Sequence, residues 1–103
     1  MGLRSAFEKM FHVEQQQLET ERLRGERARH LLQDELLQEV LKDIENAIIE
    51  KWKTSDVIDH NGQFNLRLYF KVFQQFKHLL EQILITGEAA STQLEALEKQ
   101  TRP

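Results

Sequence analysis

The chain has 103 residues, 40% of them hydrophobic, and a net charge of −3. That length fits a single small domain or one subunit of something larger, and the mild acidity excludes a surface that grips nucleic acid throughout. With no cysteine in the sequence, disulfides, thiolate catalysis and cysteine-based zinc sites are excluded as well.

One proline, at the last position, and four glycines leave few places where a helix must break. No segment alternates with period two for long enough to read as a strand, so the fold class is all-α. No apolar run reaches the length of a membrane span, and the first residues lack the hydrophobic centre of a signal peptide. No membrane association is expected. Met1-Gly2 does not open a myristoylation motif, because the serine stands at Ser5 and not at position 6.

Residues 3–32 read as a long first helix of uneven quality. Ser5 followed by Glu8 has the spacing of a capping box, and Leu3 precedes it. Phe7, Met10, Phe11 and Val13 make a short apolar patch, after which the chain turns polar, with only Leu18, Leu23 and Ala28 as larger apolar positions. Gly25 weakens the middle by about 1 kcal/mol relative to alanine. A helix partly in solvent or resting on another subunit is expected; a fraying tail is the alternative. Asp34 then marks a joint, as an N-cap with Glu35 in the first turn, where the helix dipole favours negative charge.

The second helix runs to about Lys53, with Leu36, Leu37, Val40, Leu41, Ile44, Ala47, Ile48 and Trp52 forming a wide apolar stripe. Trp52 reads as a hydrophobe closing the end of the core, rather than as a ligand-stacking ring. Thr54 to Gly62 is the clear loop, ending in Asn61-Gly62.

The strongest pattern is Phe64 to Gly87. There Leu66, Tyr69, Phe73, Phe76, Leu80, Ile83 and Gly87 recur at spacings of three and four, a stripe expected to pack on the second helix as the core. Gly87 is expected to stop this third helix as a C′ residue, leaving 88–103 as a short helix or flexible tail. Two helices joined by such a loop should lie antiparallel as a hairpin. The organisation is then 1–33, a long N-terminal helix or interface arm; 34–87, the hairpin; and 88–103.

The third helix carries more apolar surface than one partner helix covers, and exposed patches of that size mark interfaces. Phe7, Phe11, Phe64, Leu68, Phe70 and Leu84 are the candidate protein-interface residues, and an oligomer is expected. Charge is divided as well. Residues 34–59 hold eight acids against three lysines, whereas 62–86 hold Arg67, Lys71 and Lys77 against Glu81. Helices of opposite sign attract, although each exposed pair contributes little.

No reaction is legible. His12, His30, His60 and His78 show neither a Glu-x-x-His nor a His-Glu-x-x-His spacing. Glu8 with His12 and Glu26 with His30 read as solvated neighbours on a helix. Asp59 and His60 have no nucleophile beside them. Neither catalytic residues, cofactor nor metal is expected. Arg22, Arg24, Arg27 and Arg29 form the basic cluster and are the candidate nucleic-acid contacts, which would be strongly salt-dependent. Glu19, Glu21 and Glu26 interleave with them, and such pairs ordinarily stabilise a solvated helix.

Residues 26–90 resemble a class of small helical proteins encoded in tailed bacteriophages and prophages. The features are Glu26-Arg27-Ala28, Leu31-Leu32, Asp34, Trp52-Lys53-Thr54 and Ile85-Thr86-Gly87. Where that class often has proline after the aspartate, this chain has Glu35, and residues 1–25 lie outside the match. The resemblance implies a non-enzymatic structural or assembly protein among head, portal or packaging components, found in the virion or host cytoplasm. Its partner would then be a further copy or a larger phage structural protein. A small terminase-like or regulatory subunit touching DNA, and an inhibitor of one host protein, are the alternatives.

Overall fold

The computed structural model describes the backbone of residues 2–101 and the side chains of residue 6 and of residues 8–100. It is all-helical: α1 (Gly2–Gln33), α2 (Glu35–Thr54) and α3 (His60–Thr101), with no strand among the described residues.

The break between α1 and α2 is a single residue. Asp34 leaves the helical region (φ −70°, ψ 120°), and its carboxylate accepts a hydrogen bond from the Leu37 backbone N–H at 2.8 Å. That satisfies one of the donors a helix start leaves open. The Gln38 side-chain amide reaches back to the Leu32 carbonyl at 2.8 Å and ties the end of α1 to the start of α2. Asp34→Ala should cost about 1 kcal/mol of stability; an unchanged urea midpoint would show that the cap carries no stability.

Two expected boundaries move. α1 already begins at Gly2, so Ser5 lies inside the helix and not at its cap. The loop before α3 is only 55–59, because Asp59 caps that helix: its carboxylate accepts from the Gly62 N–H at 2.9 Å, and its carbonyl from the Gln63 N–H at 3.0 Å. Asn61 and Gly62 therefore fall in the first helical turn. The loop is held by short-range polar bonds. Ser55 returns its backbone N–H and its hydroxyl to the Trp52 carbonyl, Asp56 accepts from the Ile58 N–H at 3.1 Å, and the Gln63 amide donates to the Asp56 carbonyl at 3.2 Å.

A larger correction concerns Gly87. α3 does not stop there but runs on to Thr101, and Gly87 has helical, not left-handed, backbone angles. Residues 88–101 continue the same helix.

The chain divides into two compact units, one made of Met1–Arg29 with Glu81–Pro103, the other of His30–Leu80. In the first, Gly25 of α1 meets Gly87 of α3. A Cβ on Gly25 would stand 2.6 Å from the Gly87 Cα and 3.3 Å from the Ile83 carbonyl oxygen; one on Gly87 would stand 2.9 Å from the Glu21 carbonyl oxygen. The glycines are there because two helix backbones touch. Three residues beyond each glycine lies an alanine, Ala28 or Ala90, both almost fully buried, and Leu18 completes the buried apolar set.

In the second unit Leu41 of α2 and Phe73 of α3 are the buried apolar residues, flanked by half-buried Leu37, Ile48, Ile49, Leu66, Phe70 and Leu80. Lys77 is half-buried in the same stripe, with its ammonium 5.8 Å from the centre of the Phe73 ring. Its hydrocarbon stem covers apolar surface while the charge meets the ring face. The buried phase of α3 in this unit is thus 66, 70, 73, 77 and 80. Tyr69 and Phe76, expected in the core, are 64% and 50% exposed.

Candidate protein-interaction surface

What residues 30–80 leave uncovered is the feature that calls for an explanation. On α2, Leu36, Val40 and Ile44 are exposed, at 67%, 42% and 41%, and Ala47 continues their line. They occupy one side of the helix, about 90° around from Leu37, Leu41 and Ile48. On α3, Leu68, Tyr69, Val72, Phe76 and Leu79 are all exposed, and they stand about 110° around from the buried stripe. Single exposed hydrophobes are ordinary, but runs of them on one face of each helix are not.

Close to the α2–α3 loop the same unit holds an open apolar cavity of about 600 Å³, lined by Ile49, Trp52, Phe64 and Phe70 with His60 and Arg67 as its ionisable groups. Trp52 lines this cavity at 59% exposure, so it does not close the end of a core as expected. The cavity is open there, and the residues of α3 that share it, among them His60, Gln63 and Phe64, leave the ring largely uncovered. Phe64 is 61% exposed on the same cavity.

The candidate interface residues therefore fall in different places. Leu68 is exposed on the α3 stripe and Phe64 in the cavity, whereas Phe70 is half-buried on the side of α3 that faces α2. Phe11 and Leu84 are half-buried in the other unit. The Phe7 side chain lies outside the described residues. Missing from the expected set were Leu36, Val40 and Ile44, together with Tyr69 and Phe76, which the spacing assigned to the core. One signal for them was present: the apolar arc of α2 is wider than a single helix partner covers.

The four arginines are not equivalent. Arg22 donates from Nε and from its terminal nitrogen to the Glu19 carboxylate, the former at 3.1 Å. This hydrogen bond holds the Glu19 carboxyl below the usual glutamate range and raises Arg22. Arg29 pairs with Glu88 across the Gly25–Gly87 contact at 3.3 Å. Arg24 and Arg27 are exposed. Two of the four cations thus already face acids, which weakens the field that a phosphate backbone would meet.

All four histidines are exposed, and among the described residues no group of three His, Asp or Glu lies close enough to hold a metal ion. Nor is any described helix long and apolar enough to cross a membrane. No protein-family profile, curated protein or solved structure is significantly similar to the chain.

Proposed function

We propose that the protein is a non-enzymatic assembly component that works by helix–helix packing, docking on further copies of itself or on a larger structural protein. The observation that carries this reading is the pair of exposed apolar stripes on α2 and α3. The tailed-phage setting, a structural part of a particle or an assembly factor, rests on the resemblance of residues 26–90 and on nothing else.

In this reading α2 and the first part of α3 work as an antiparallel hairpin. Five residues join them, too short a connection for a parallel crossover of helices this long. Ile48 and Leu66 border the same cavity next to the loop. Seven residues further from the loop on each helix come Leu41 and Phe73, the two buried positions. An antiparallel pair brings them to one level. The ion pairs of Arg22 and Arg29 favour a protein partner over nucleic acid.

Light scattering tests the reading. The purified chain should run above its 12.2 kDa mass, or rise above it with its partner, and the association should survive high salt because apolar burial drives it. Val72→Glu combined with Phe76→Glu should return it to the single-chain mass with helical circular dichroism intact. A double variant that keeps the wild-type assembly would overturn the proposal.

A further inference from the structure

Building on the hairpin reading, we infer that the apolar side of residues 30–80 is covered by the same side of a second copy. In this arrangement α2 of one chain lies over α3 of the other, related by a two-fold axis parallel to the helices.

The geometry comes first. Each exposed stripe is displaced from its helix's buried stripe by about 90° on α2 and about 110° on α3, in the same rotational sense about the N-to-C axis. In two antiparallel helices facing each other, that shared sense turns both stripes to one side of the pair. The stripes also match in length and level. Leu36 to Ala47 and Leu68 to Leu79 each span eleven steps. Counting from the Leu41–Phe73 level, Leu36 stands level with His78 and Ala47 with Arg67. One flat apolar side results, ended near the loop by Lys51 on α2 and Asn65 on α3. Its outline is self-complementary, as a two-fold interface requires.

Charge then selects the occupant and its orientation. The outer edge of the α2 stripe carries Glu39 and Asp43, both exposed; Glu50, further along, is within 3.9 Å of Lys53. Lys71, also exposed, flanks the α3 stripe about 60° beyond Leu68, whereas Arg67 lines the cavity. Laying α2 over α2 of a second copy would bring acid against acid and base against base. Laying α2 over α3 brings acid against base on both edges, and it places Asp43 of one copy level with Lys71 of the other. It also makes every neighbouring pair of helices antiparallel, the order of an up-down four-helix bundle. Like charges juxtaposed at an interface are strongly disfavoured, so the edges fix the register while the apolar side supplies the burial.

The test uses the full chain. Wild type should weigh twice 12.2 kDa. Asp43→Lys and Lys71→Asp, each alone, should weaken the dimer by about tenfold at low salt, since each homodimer then sets two like pairs face to face. Mixing the two variants should restore the dimer, because in the heterodimer both contacts join opposite charges. A wild-type dimer that the mixture does not restore overturns the α2-over-α3 arrangement. The hairpin is read separately, from spin labels on Lys42→Cys and Gln74→Cys in one chain diluted with unlabelled protein. A monomeric wild type with a short label distance overturns the dimer and leaves the hairpin standing. A long label distance overturns the hairpin and the inference with it.

Discussion

Gly25→Ala will be less stable than the parent chain, although alanine is the better helix former. Propensity alone favours the alanine by about 1 kcal/mol in a helix interior. Against this, the new methyl group would stand 2.6 Å from the Gly87 Cα and 3.3 Å from the Ile83 carbonyl oxygen. Carbon atoms in contact sit about 3.5–4.0 Å apart, so the helices must part by about 1 Å. Both obstacles are backbone, which no rotamer change removes, and Ala28 and Ala90 beside them lose contact as the gap opens. Overpacking of this kind costs about 1–3 kcal/mol, and the rigid neighbours place it at the upper end. A net loss of about 2 kcal/mol remains, or roughly 8–15 °C in melting temperature for a chain of this size. Gly87→Ala should behave alike. The double variant should cost less than the sum, because one separation of the helices relieves both clashes. A rise in the urea midpoint of Gly25→Ala would show that the two backbones do not touch.

Phe73 and Phe76 will part company in the same way. They sit three residues apart on one helix and look interchangeable in the sequence, yet Phe73 is 8% exposed and Phe76 50%. Phe73→Ala removes a buried ring beside the Lys77 stem and should cost about 3–5 kcal/mol. Phe76→Ala, measured at a dilution where the chain is single, should cost less than about 1 kcal/mol, since much of its ring is in water already. At high concentration the Phe76 variant should instead lose association. Equal destabilisation of the two variants in dilute solution would overturn the burial phase of α3.

That phase marks the limit of what was legible in the sequence. Local chemistry was readable: the Asp34 cap acts through its own side chain on the third residue after it, and the structure has that bond. The helical class and the first two helices were readable for the same reason, because periodicity and breakers are properties of one segment. Gly87 was not. A glycine at a helix end and a glycine under a second backbone look alike along the chain, and only Gly25, sixty-two positions away, tells them apart. Nor was the buried phase of α3: it includes Lys77, which a count of apolar residues passes over, whereas the rings of Tyr69 and Phe76 outside it fit the same three-and-four spacing. The wide apolar arc of α2 told of an unfilled face, but not which of its rows lay uncovered. That depends on which side α3 takes.

The loop at 55–59 has a consequence for how this sequence can drift. Its shape is held by Ser55, Asp56 and Asp59 through bonds to nearby backbone, while Val57 and Ile58, 81% and 78% exposed, contribute no side-chain bond to it. Three positions are therefore pinned by hydrogen-bond geometry and the two between Asp56 and Asp59 are unconstrained by it. Substitutions should accumulate at Val57 and Ile58 without altering where α2 ends or α3 begins. The tip is also the natural place to attach a fluorophore or an epitope when the chain is followed inside an assembly.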